Sequence, residues 1–187
     1  MSGPRDRRRR GRRPAIAGAA LCVVALALAL ADPAAALSGW LVAFVFWSAL
    51  PIGGLVLAML MALIPGAWRE ELRDHADAAT LLMPLAAAAA APLLIGVGAV
   101  YPWTAVGGFA GYLAPVPFAL RTVAFFAFAG AAAALVTTRR RAVPMAAAGL
   151  CILVPAHTVV AVDWLMSLSP GFHSSGFGLY VLSIQAT

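Results

Sequence analysis

Three ionisable side chains stand inside otherwise apolar stretches of this sequence: Arg121, His157 and Asp163. An ionisable group in a hydrocarbon-embedded helix costs at least ~2.5 kcal/mol on insertion scales, so each is a candidate for function. Arg121 lies near the start of one apolar run and Asp163 near the end of the next. Consecutive helices run antiparallel and usually pack together. At a rise of about 1.5 Å per residue, both groups then sit roughly 5–8 Å below the same boundary. The spacing therefore predicts an Arg121–Asp163 ion pair or a shared polar network. Two roles are open to it: a pair that fixes helix packing, or a proton-handling or ligand-binding role for Asp163.

His157 falls near the middle of the same run as Asp163. The offset between them is about 600° of helical rotation, so they do not share a helix face. A b-type haem generally takes two axial ligands, and His75 and His173 both lie outside the apolar runs. Haem binding is therefore not expected. An interhelical hydrogen bond is the plain expectation for His157, with a quinone carbonyl or a proton path as the sharper alternative.

The elements that must position these groups are membrane helices. Apolar residues make up 63% of the 187 and charged residues 11%, against roughly 25% charged in a soluble domain. Such a chain cannot cover a globule with polar surface. A span needs about 20 mostly apolar residues. The expected fold is all-α, with about five transmembrane helices: Ala15 to Ala31, Gly39 to Ile64, Thr80 to Val100, Phe118 to Thr138 and Pro144 to Leu168. A sixth apolar run starts at Phe177 and is too short to cross as a helix. Residues 1–14 read as a basic cytoplasmic N-terminus and 15–31 as a first transmembrane helix or signal anchor. Residues 39–168 read as a four-helix membrane bundle, and 169–187 as an outer loop and the start of a further helix.

Arginine placement orients the chain. There is no lysine, and seven of the thirteen arginines fall between Arg5 and Arg13. Counting crossings puts these, Arg69, Arg73 and Arg139 to Arg141 on one side, which the positive-inside rule makes cytoplasmic. The opposite connections, Asp32 to Ser38, Tyr101 to Pro117 and Ser169 to Gly176, carry no basic residue but His173. The expected location is a bacterial inner membrane with the N-terminus cytoplasmic. Arginines that flank apolar runs mark topology and meet anionic lipid, so no nucleic-acid partner is expected. The short first run followed by Ala29-Leu30-Ala31 also fits a cleaved signal peptide, although the further spans favour an uncleaved anchor.

Pro51, Pro84 and Pro92 should kink their helices. Trp40 and Trp68 bracket the second span, Trp103 and Trp164 sit near the outer side, and Trp47 lies deeper as a packing residue. Pro65 to Asp77, with four carboxylates, reads as a short cytoplasmic connection with some helical character. Cys22 and Cys151 form no metal or redox motif and are expected to be buried, unreactive thiols. Hydrolase, phosphate-loop, zinc-protease and dinucleotide signatures are absent from the sequence.

One string carries more than composition. Val162-Asp163-Trp164-Leu165-Met166-Ser167-Leu168-Ser169-Pro170-Gly171-Phe172-His173-Ser174-Ser175-Gly176-Phe177-Gly178 resembles a signature of the ActF-type membrane subunit of alternative complex III. That complex is a quinol:cytochrome c oxidoreductase, and the wider group is the NrfD-like, polysulfide-reductase-type subunits. Ala49 to Gly54, Tyr101-Pro102-Trp103, Tyr112-Leu113, Val116-Pro117-Phe118 and Leu120-Arg121 look like further family stretches in the same order. His-Ser-Ser at 173–175 departs from the Trp-Ser-Thr that the signature tends to have.

The resemblance implies the first four-helix bundle of an NrfD-like fold, preceded by an N-terminal helix, and the entry to a second bundle. It implies an integral-membrane subunit that supports quinone and proton handling without redox centres or independent catalysis of its own. It implies no covalent cofactor, a quinone or quinol at an interface, and iron–sulfur and c-haem subunits as partners beside the lipid bilayer. By carry-over Asp163 and Arg121 match family positions, while His157 enters from its depth alone. The rival readings are a transporter or channel fragment and a purely structural membrane subunit.

Overall fold

A computed structural model of the chain describes residues 16, 18, 20, 21, 23–25, 27–106, 111–138, 143–169 and 171–187. Among the described residues, the regular elements are helical and four helical stretches are long and apolar enough to cross a membrane: Pro33–Leu63, Trp68–Ile95, Pro115–Thr137 and Val143–Leu168. Phe177–Ala186 is a shorter apolar helix. These are the helices of an integral membrane protein in contact with a bilayer. The arginine cluster from Arg5 to Arg13, Ala15, Ala17, Ala19, Cys22 and Leu26 of the expected first span, and the Arg139 to Arg141 run lie outside the described residues, and the described residues of that span are helical.

Helix α1, Pro33–Leu63, is the axis of the bundle. Asp32 is extended and its Oδ1 accepts from the Ala35 backbone N–H at 3.0 Å, while Pro33 takes the first helical position. A carboxylate cap followed by proline is a strong helix start, because proline's missing N–H has no partner there anyway. The helix thus begins before Gly39, and the expected connection from Asp32 to Ser38 shrinks to a one-residue cap. Its 31 residues give a length of about 46 Å. Ile52, Leu55, Ala58, Met59 and Met61 along it are fully enclosed.

The charged stretch after α1 is not a loop. Trp68–Thr80 forms a helix, α2, that returns along α1. Gly54 makes this possible: a Cβ there would stand 2.7 Å from the Ala79 Cβ and 3.1 Å from the Ala76 carbonyl. Ala76 and Thr80 face α1, while Glu70, Glu71, Arg73 and Asp74 face outward. Arg73 lies 3.9 Å from Asp77 one turn on, an exposed pair of little energetic weight.

The expected third span from Thr80 to Val100 is broken into α3 (Met83–Ala89), α4 (Ala91–Ile95) and α5 (Val97–Val100). Pro84 and Pro92 lie in the first turns of α3 and α4, where proline is tolerated. At the break the Leu93 and Leu94 N–H groups both bond to the Ala90 carbonyl. The Ala89 carbonyl is satisfied from outside the segment: Trp40 Nε1 donates to it at 2.8 Å. A neighbouring helix thus answers a proline break, as lipid requires.

A short helix α6 (Trp103–Val106) precedes the two long helices α7 (Pro115–Thr138) and α8 (Val143–Trp164). A 3-10 turn, Met166–Leu168, and helix α9, Phe177–Ala186, complete the order. Helix α9 packs on both α8 and α1. Two expectations are corrected. Trp47 is 67% exposed beside the equally exposed Phe46, so it faces outward rather than packing the core. Cys151 is exposed on α8 rather than buried.

Candidate functional site

Asp163 is wholly enclosed, and Arg121 is 21% exposed. Arg121 Nε donates to Asp163 Oδ2 at 2.6 Å and Nη2 donates to Oδ1 at 3.0 Å. This is the two-pronged fit of a planar guanidinium to a carboxylate. The reason lies in the helices: α7 and α8 are antiparallel neighbours, and the two residues share one level. The guanidinium also lies 4.0 Å over the ring of Tyr112, a cation–π contact that closes its remaining face.

The groups around the pair form one hydrogen-bonded cluster. Ser167 Oγ donates to the Asp163 carbonyl at 2.5 Å, and Trp103 Nε1 donates to Ser167 Oγ at 3.2 Å. Tyr101 Oη donates to the Trp164 carbonyl at 3.2 Å, and Trp164 Nε1 donates to Thr122 Oγ1 at 3.1 Å. Rings fill the space between. Phe118 contacts Tyr101 and Trp103, while Phe44, Phe125 and Phe126 surround Trp164. Burial pushes the Tyr101 and Tyr112 phenols above their ordinary value, and the Asp163 carboxylate adds to it in both. Both phenols are therefore held as hydrogen-bond donors.

His157 occupies a second site. It is 1% exposed, and its Nε2 lies 2.7 Å from Gln185 Oε1 on α9. Gln185 Nε2 donates in turn to the Val45 carbonyl on α1 at 3.2 Å. Phe125 stands edge-on to the imidazole at 6.0 Å. The histidine thus makes the interhelical hydrogen bond that its depth suggested, and it does not join the Arg121–Asp163 cluster directly. His75 and His173 are exposed elsewhere. Among the described residues no three metal-ligating side chains come together.

Sequence reasoning held Tyr112 and Ser167 only as parts of family-like stretches, and it missed Thr122 in the first site and Gln185 as the partner in the second. Gln185 carried the clearest signal: a lone amide in an apolar run needs a hydrogen-bond partner. Chemically, the first site can hold a carboxylate charge next to two donor phenols. The second offers an imidazole in a polar chain between three helices. No protein-family model matches the chain, and a search of curated proteins finds no match.

Proposed function

We propose that the chain is an integral-membrane subunit of a quinol-oxidising respiratory complex, of the ActF-type, NrfD-like group, and that it supports quinone and proton handling without redox centres of its own. What supports the reading is convergence. Tyr101-Pro102-Trp103, Tyr112, Phe118 with Arg121, and the string from Asp163 to Ser167 each belong to a family-like stretch, and they lie far apart in sequence. They meet in one cluster around the buried Arg121–Asp163 pair. In this reading Asp163 is the proton- or quinol-related carboxylate, Arg121 positions it, and the cluster faces the outer side of a bacterial inner membrane with the N-terminus in the cytoplasm. Iron–sulfur and c-haem subunits carry the electrons, and a quinol sits at the interface with them.

A purely structural role draws on the same geometry, because the two-pronged pair leaves little of the carboxylate unbonded. Two measurements separate the readings. The tagged chain, drawn from its native membrane in mild detergent, is expected to bring c-haem absorbance and iron–sulfur signals with it; a chain that purifies alone sinks the respiratory reading. In the assembled complex, Asp163→Asn is expected to leave subunit content intact and lower quinol oxidation by at least ~10-fold. Full activity in that variant would make the pair a packing device.

A further inference from the structure

The polar chain through His157 fixes which nitrogen carries the proton. The Val45 carbonyl accepts from Ser48 Oγ at 3.0 Å and from Gln185 Nε2 at 3.2 Å. A carbonyl can only accept, so the Gln185 amide must turn its NH2 toward Val45 and its Oε1 toward His157. That oxygen also only accepts. The hydrogen in the 2.7 Å contact therefore belongs to Nε2 of the imidazole. A neutral imidazole has one N–H, which leaves a lone pair on Nδ1.

That lone pair has no hydrogen-bond partner among the described residues, and the atom is buried. The backbone of Gly178 on α9 also faces the ring, but as an acceptor. Two acceptors cannot satisfy one another. The other groups around the ring are the Phe125 edge from α7 and the Gln185 side chain from α9. Asp163 farther along α8 is engaged by Arg121. Buried polar atoms in native proteins nearly always find partners, ordered water included.

We infer that Nδ1 of His157 is a hydrogen-bond acceptor site for a small O–H donor, either water or the hydroxyl of a hydroquinone head group. The site refuses an oxidised quinone carbonyl, which has no hydrogen to give. This sharpens the earlier choice for His157, because a carbonyl ligand would need the opposite tautomer. The inference rests on burial and contacts alone. Only its hydroquinone source rests on the respiratory reading.

The test is 15N NMR of the full chain in lipid bilayers, with His75→Gln and His173→Gln leaving one histidine. Both replaced residues are exposed. At about pH 8, above the ordinary imidazole value, Nε2 is expected to be protonated and Nδ1 bare. Magnetisation passing from water protons to Nδ1 identifies water as the donor. An Nδ1 resonance displaced by a short-tailed ubiquinol, and not by the matching ubiquinone, identifies the hydroquinone. A response to water alone upholds the site while giving the respiratory reading no support. A proton found on Nδ1 overturns the inference, as does a bare Nδ1 that answers neither probe. Gln185→Leu removes the oxygen that holds the proton on Nε2, so both tautomers are expected in that variant. A single unchanged tautomer there overturns the orienting role of Gln185.

Discussion

The two ends of the bundle are held together in different ways. At the end that carries Asp163, the helices are joined by an ion pair, indole and phenol hydrogen bonds, and a continuous set of aromatic rings. At the end that carries Leu63, contact is made by small residues and thioethers: Gly54 against Ala76 and Ala79, and Gly149 against Met59. The comparison teaches where specificity comes from inside lipid. The hydrophobic effect gives helices little reason to prefer one another there, so either directed polar bonds or close backbone approach must set the packing. This molecule uses the first at one end and the second at the other.

The largest effect is expected from Arg121→Ala, which leaves the Asp163 carboxylate buried and unpaired. Breaking one partner of a buried pair costs about 3–5 kcal/mol. Thermal unfolding in detergent should show it, and the double variant Arg121→Met with Asp163→Leu should recover most of the loss. If the single and double variants were equally unstable, charge would not be what holds the aromatic end. Next comes Gly54→Val at the opposite end. Its side chain would run into the backbone of α2, and overpacking of this kind costs about 1–3 kcal/mol. Cysteine cross-linking between α1 and α2 should fall in parallel. A neutral result would remove close approach as the device at that end.

Alkaline pH should act on one end alone. Tyr101 and Tyr112 both have phenols shifted above the ordinary value of 10.0. The unfolded chain then releases protons that the folded chain still holds. Stability is therefore full below about pH 10 and falls as pH rises beyond it. Absorbance of the phenolate, followed beside unfolding, should show these two tyrosines titrating late. The smallest effect is expected from Trp47→Leu, on the outward face of α1, at within about 0.5 kcal/mol. A large loss in the native membrane but not in detergent would mean that another protein covers that face.

The Arg121–Asp163 pair was legible because helix rise and alternation alone fix the level of a residue in a bundle. Which way a side chain points was not. Helix α1 is apolar all round, so nothing in the order of Phe46, Trp47 and Ser48 says that the serine faces in and the tryptophan out. The partner of Gln185 was hidden for another reason: it is set by how α9 lies across α8 and α1, which depends on glycine contacts at Gly53 and Gly178. The start of α1 was legible in retrospect, since Asp32-Pro33 is a cap followed by a first-turn proline. The prolines of the third span announced a kink, but neither the full break nor the indole that repairs it.

The bond from Trp40 to the Ala89 carbonyl has a mechanical corollary. It pins the broken segment to α1 at one height, so the two cannot slide past each other along their lengths without exposing a bare carbonyl to hydrocarbon. Rotation about that point costs much less, because α3 and α4 are short and share no continuous ladder across Ala90.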